Sequence, residues 1–373
     1  MSVRRGLWAF VTETRTGRVV EKNLPFTSPR AGYRINTEGP ISVDVPMTGA
    51  FNKRHFRFLQ NPWRYSYGLA LDDFVIQCGP MTEHPEYSPD SETWSVVCAG
   101  LMVLWNRKRI LLTDLSYPNL SLHDVARTLI AQDMAQTYGD LPVDLPSQNN
   151  LGGASTTYEA AKLPKIGDLL RDLTDEDNGI ELEFRPYFVD PTTCDQVRHT
   201  MRIGAPFLGS RTKVHRWSRD KSLVSVTPSG GGGRIADTYI VAGQSTGGGS
   251  TYGISAPPPA ERRLATQGWP LLMDLDSTHT SEADVTTLTS YANANYAAHH
   301  DGPRQITARV KALPAPGQGP RLTDWSLGDE GIFPVRGYLG MPDADFRCRI
   351  IGSDLVNSDE IDLELQVLAE VNT

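Results

Sequence analysis

The residues best suited to chemistry in this 373-residue sequence are few, and their spacing rules out most of the usual reactions. Asp274, Asp276 and Glu282 are the nearest approach to a cation site. A calcium loop of the EF-hand type needs a central glycine and a closing glutamate at set offsets, and neither is in place. Acidic residues just ahead of a helix already have a reason there, because the free N–H groups of the first turn carry partial positive charge. No metal and no cofactor follow from this reading. His299 and His300 adjoin at the end of a helical stretch. Adjacent side chains diverge and cannot share a metal as an i,i+4 pair can. His123 falls in the first turn of another predicted helix and reads as a surface residue. Neither His199 nor His215 has a cysteine beside it in a protease-like context, and no GxSxG motif is present. The tract Gly230–Gly233 lacks the Gly-Lys-Ser/Thr ending of a phosphate loop and leads into a strand, so it cradles no nucleotide. With no catalytic, cofactor or metal residues to name, the chain reads as a non-enzyme.

The four cysteines, Cys78, Cys98, Cys194 and Cys348, show no CxxC or ligand-like spacing. Cys78 and Cys98 both lie in strand-like text and could be neighbours. A disulfide and a pair of buried free thiols are both open, the thiols being favoured in a reducing cytosol. Trp63, Tyr65 and Tyr67 alternate along one strand face. That is a candidate sugar platform, although the same spacing suits a core or interface face better.

Composition narrows the class further. A formal charge of -8 and a pI near 5.5 argue against a nonspecific grip on a nucleic-acid backbone, while leaving room for DNA to pass a neutral or acidic wall. The length exceeds the usual single core, so two or more domains are expected. With Gly 33, Pro 26 and 8% aromatic residues, the composition suits a turn-rich, mainly β assembly. No run approaches the roughly 20 apolar residues of a membrane span. The opening MSVRRGLWAFVTETRTG has no sustained apolar core, so no signal peptide is expected.

The elements that would hold these residues read mostly as strands. Trp8–Val11 and Val19-Val20 flank a turn at Thr16-Gly17, and AGYRINTEGPISVDVP gives two strands around Glu38-Gly39-Pro40. Leu71–Ile76 is apolar around Asp72-Asp73. Trp94, Val96 and Cys98 share one face, and the continuously apolar Leu101–Trp105 reads as a strand buried on both sides. Two helices follow. One is capped by Ser121 and Asp124 with an apolar stripe of Leu122, Val125, Ala126, Leu129 and Ile130; the other, over Leu163–Leu173, is stopped by Asn178-Gly179. Lys213–Arg219 continues into Leu223–Val226 as a hairpin arm. The Gly- and Pro-rich stretch 243–259 reads as a long loop ordered by something outside its domain, so removing 246–256 should spare the monomer fold and impair assembly. A helix over 281–298, with Val285, Leu288, Ala292 and Tyr296 on its apolar face, is capped by Ser281 and Asp284. The chain closes on alternating Ile361, Leu363, Leu365 and Val367.

Several of these stretches together resemble the tail-tip hub, or minor tail, proteins of long-tailed bacteriophages, especially those infecting actinobacteria. The matching text is RINTEGPISVDVP, CGPM…WSVVCAGLMVLWNRKRIL, KIGDLLRDL…NGIELEFRPYF and THTSEADVTTLTSYANANYAAHH…DWSLGDEGIFPVRG. The resemblance implies a mainly β fold with α/β parts. Two barrel-like tube domains, 1–115 and 195–373, the latter with inserted loops and helix 281–298, would flank a helix-containing peripheral domain, 116–194. It also implies a homotrimer forming a pseudo-hexameric ring at the virion tail tip, made in the cytoplasm of the bacterial host. Implied partners are the distal tail protein ring, the tail tube, the tape-measure protein and other minor tail proteins, with DNA passing without specific binding. Because the chain stops after its last strand, any wall-cleaving activity is expected in another protein. Two alternatives stand beside this: a receptor- or cell-wall-carbohydrate-binding tail component, and a tail-associated peptidoglycan hydrolase.

Overall fold

The fold is described from a computed structural model, which covers residues 6–47, 56–90, 92–153, 155–176, 178–228, 235–246, 249–255, 268–279, 282–299, 305–337 and 343–371. Strands β1 (Leu7–Glu13) and β2 (Val19–Leu24) form the expected hairpin. β3 (Thr27–Arg34) and β4 (Pro40–Pro46) form the next, with Glu38-Gly39 in the turn. β5 (Tyr65–Leu71) and β6 (Phe74–Pro80) form a third. Its tight turn is at Asp72, whose φ of 54° is tolerated best by Gly, Asn and Asp, so the apolar stretch Leu71–Ile76 is two strand ends and not one strand. β7 (Glu86–Ser88) and β8 (Thr93–Ala99) follow.

The apolar run at Leu101–Trp105 corrects the sequence reading. It enters a short helix, α1 (Val103–Arg107), with all five residues from Leu101 to Trp105 buried. A short helix walled in on every side presents the same unbroken apolar text as a strand covered on both faces. β9 (Leu115–Tyr117) leads to α2 (Leu122–Met134), where the Ser121 hydroxyl accepts the Asp124 N–H at 3.2 Å as the capping pattern requires. β10 (Val143–Asp144) and β11 (Thr156–Tyr158) lie within the predicted 140–158 loop. α3 (Ile166–Asp175) buries Ile166, Leu169, Leu170 and Leu173, and it ends near Asn178, whose φ is 58°. β12 (Glu181–Phe188) and β13 (Val197–Gly204) pair antiparallel, with β10 parallel to β13.

In the last part of the chain β14 (Val214–Arg216) and β15 (Leu223–Pro228) are not one arm. β14 runs parallel to β20 (Glu330–Val335), while β15 pairs with β19 (Gln305–Lys311). β16 (Thr238–Thr246) and β17 (Gly249–Ser255) form a hairpin, so most of the 243–259 "loop" is strand and deleting 246–256 would remove an element of the fold. Its Gly and Ser content hid the alternation of Tyr252 and Ile254 with Gly253 and Ser255. β18 (Met273–Asp276) runs parallel to β16, and α4 (Val285–His299) packs on this three-stranded sheet. Asp284 itself caps α4, accepting the Thr287 N–H at 2.8 Å. Leu288 and Ala292 are buried as expected, but Val285 is exposed. Ser281 and the Gly230–Gly233 tract lie outside the described residues, as do His300 and the His299 side chain.

β21 (Ala344–Leu355) and β22 (Glu360–Val371) complete a ten-stranded sheet, whose main path runs β15-β19-β22-β21-β3-β4-β8-β7 with β20 and β14 branching from β21. The ladder Gly352–Arg34, Ser353–Tyr33 and Asp354–Gly32 joins the two ends of the chain in one sheet. Ile361, Leu363 and Leu365 of β22 and Ile306, Ala308 and Val310 of β19 enter one core with Ile41, Val43 and Val96. The four-stranded sheet β2-β1-β5-β6 contributes Val11, Tyr67 and Leu69 to the same core. A second core gathers α1, α2, α3 and β12 around Trp105, which stacks on Phe184 at 4.8 Å.

Candidate functional site

The outward face of the ten-stranded sheet carries several ion pairs. On β19 Arg309 sits directly across from Asp362 of β22, and its fork donates to both carboxylate oxygens at 2.8 and 2.9 Å. Arg34 of β3 reaches Asp354 at 2.6 Å and Glu364 at 3.0 Å. Arg347 pairs with Glu330, and Arg349 with Glu181 of β12, which also accepts the Leu208 N–H at 2.8 Å. Solvent-accessible pairs of this kind contribute about 0–1 kcal/mol each, so their main effect is to fix register. The Arg349–Glu181 pair is mostly buried and ties the helical block to the large sheet.

The residues with chemical potential are scattered and engaged. All four cysteines are buried and none is in a disulfide. Burial pushes the Cys78 and Cys348 thiols up to about 12 and Cys98 well above its ordinary value, so these three supply no thiolate near neutrality. His199 is buried, with Nε2 3.1 Å from the Cys78 carbonyl, and burial lowers its pKa to about 4. His215 lies 3.5 Å from Asp329. His123 corrects the surface reading: it is buried, with Nδ1 2.9 Å from Asp124. Asp124 also accepts the N–H groups of Asn149 and Asn150, both at 2.9 Å, and this folds the following loop over the helix start.

Asp274 accepts the N–H of Leu275, Asp276 those of Thr278, and Glu282 those of Ala283 and Asp284, so the three acids serve their own turns and do not converge. Among the described residues no group of three His, Cys, Asp or Glu is placed to hold a metal ion. Tyr65 and Tyr67 are core residues, and Trp63 lies outside their row with the Lys108 ammonium 4.7 Å from its ring centre. They form no sugar platform.

One cluster went unread in the sequence because its members are far apart in the chain. His279 is buried and stacks on Tyr291 of α4 at 4.0 Å. Its Nδ1 lies 3.2 Å from Asp172 of α3, and its Nε2 lies 3.8 Å from both Asp175 and Asp276. Burial opposes the charged imidazole, but the hydrogen bond to Asp172 and the charges of Asp172, Asp276 and Asp175 outweigh it and raise the pKa. The ion pairs clamp α3 to the β18–α4 unit beside a cleft of about 810 Å³ lined by Tyr158, Asp172, Glu176 and Glu282. These contacts join two parts of the chain through space.

No helix among the described residues is long and apolar enough to cross a membrane. No family model matches the chain, and no curated protein does. Solved structures do. A 43 kDa tail protein of prophage MuSo2 from Shewanella oneidensis superposes with a TM-score of 0.55 at 9% identity, covering 99% of this chain and 100% of that one. The tail protein from Neisseria meningitidis MC58 gives 0.52 at 11% identity, covering 97% and 96%. The chain thus has, over nearly its whole length, the mixed α/β, sheet-rich fold of these two tail proteins.

Proposed function

We propose that the chain is a structural tail-tip hub of a long-tailed bacteriophage. Three copies would form a pseudo-hexameric ring that joins the distal tail and tube to the tip and surrounds or closes the DNA exit channel. In this reading 1–115 and 195–373 are two barrel-like tube domains joined edge to edge by the β21–β3 ladder, and 116–194 is the peripheral domain. The ring sits in the virion at the tail tip after synthesis in the host cytoplasm. It contacts the distal tail protein, the tube, the tape-measure protein and other minor tail proteins, and DNA passes without specific binding.

The observation that carries the reading is the likeness to two tail proteins at 96% or more of all chains compared. The ion pairs of Arg309 with Asp362 and of Arg34 with Asp354 and Glu364 support it, since an arginine already matched by carboxylates is a weaker partner for a polyanion. So does the engagement of every reactive side chain described above in packing or local hydrogen bonds, which suits a non-catalytic part. Imaging of intact tails tests the proposal: the expected result is three copies of this chain in a ring at the tip. A monomer that binds cell-wall glycan, or one that cleaves it, would replace the hub with one of the two alternatives.

A further inference from the structure

The three-stranded sheet β17-β16-β18 turns large apolar side chains to solvent on two of its strands. α4 covers one face: a Cβ on Gly253 would stand 2.2 Å from the Leu288 carbonyl carbon, and Tyr239 meets Tyr296 edge-on at 6.2 Å. The acid of β18 turns toward that helix, since Asn295 of α4 lies 3.4 Å from Asp276. The apolar residues turn the other way. Met273 and Leu275 are 59% and 61% exposed, and Tyr252 and Ile254 of β17 are 56% and 44% exposed.

The strand register sets Ile254, Ile240 and Leu275 in one row across the sheet, with Tyr252 beside Ala242. Trp269 and Leu271, just ahead of β18, are also exposed. A solvated sheet face is normally polar, with its apolar alternates turned inward. Here the alternation is inverted on both β17 and β18, and none of these outward positions is charged.

We propose that this uncovered face is where one copy of the chain docks onto the next, an inference that rests on the hub reading and names a contact that closes its ring. The six exposed side chains offer on the order of 500 Å² of apolar surface, in the upper half of the roughly 300–600 Å² of a monomer's largest patch, which is often a functional one. That is more than half of the roughly 800 Å² per partner that a stable interface buries. An uncharged, apolar centre matches contacts between permanently assembled copies and lacks the cations that a nucleic acid or an anionic glycan would need. In a threefold ring the contact is heterologous, so the face meets a different surface of its neighbour.

Native mass measurement over a concentration series, on the full chain and on a Met273→Glu/Leu275→Glu variant, tests this. The expected result is a trimer for the parent chain and a monomer for the variant, with an unchanged far-UV spectrum and denaturation midpoint. Two buried charges should weaken association about a hundredfold or more. A second variant, Leu275→Cys, is independent of that substitution. The four native thiols are buried, so alkylation reports the new one; it should be fast in dilute monomer and slowed about tenfold or more in the trimer. A charged variant that stays trimeric, or a thiol labelled equally fast in both states, overturns the docking face and leaves the hub reading standing. A parent chain that is monomeric at every concentration, or that assembles only with a different tail protein, overturns the second copy as occupant; absence of a ring of this chain from imaged tails overturns the hub.

Discussion

In β22, Ile361, Leu363 and Leu365 enter the core while Asp362 and Glu364 face out; in β18, Met273 and Leu275 face out while Asp276 faces a helix. Both strands alternate with the same period, yet one completes its burial within the chain and the other does not. The large sheet has strands and loops enough to cover its apolar face, and its polar face is settled by pairs such as Arg309–Asp362. Among the described residues the small sheet has a single helix against it and therefore one covered face. Alternation shows that a strand has two unlike faces, but which face is inward depends on what is packed there.

This contrast can be broken at its strongest point first. Leu365→Ala, in the fully buried row, should cost about 4 kcal/mol in chemical denaturation, because a cavity is left in a closely packed core. Glu181→Ala strands the mostly buried Arg349 guanidinium and should cost about 3 kcal/mol by the same measurement. An acid titration of stability probes His199. Its folded pKa of about 4 lies below the ordinary histidine value of 6.5, so the unfolded chain takes up a proton first as pH falls. The native state is therefore fully favoured above about pH 6.5 and loses up to about 3 kcal/mol between there and pH 4, a slope that His199→Gln should remove. Ser121→Ala should cost about 1 kcal/mol through loss of the α2 cap. Smallest of all, Leu275→Ala should stay within about 0.5 kcal/mol for the monomer. If it matched Leu365→Ala, the small sheet would be a covered core face and the comparison would collapse.

The elements legible in the sequence were those whose signals are local. The Ser121 cap, the leucine stripe of α3 and the strict alternation of β22 each announce themselves within a dozen residues, and each stands where it was expected. The reading went astray where two environments share one text. Leu101–Trp105 is apolar on all sides whether helix or strand, and Gly- and Ser-rich β17 reads as loop because its helix-side positions must be small to admit Leu288. His123 looked exposed because the first turn of a helix is usually solvated, whereas here it is buried with Nδ1 2.9 Å from Asp124, which in turn holds the N–H groups of Asn149 and Asn150 from across a loop.

What this sequence determined alone was periodicity, turn chemistry and the lack of any spaced set of reactive residues, since these follow from neighbours along the chain. The joining of the two ends of the chain in one sheet by β3 against β21, the gathering of Asp172, Asp175 and Asp276 around His279, and the outward turn of Leu275 were decided only in three dimensions. Each joins or separates residues through space, and the free energy of burial depends on what covers a side chain and not on what adjoins it in the chain.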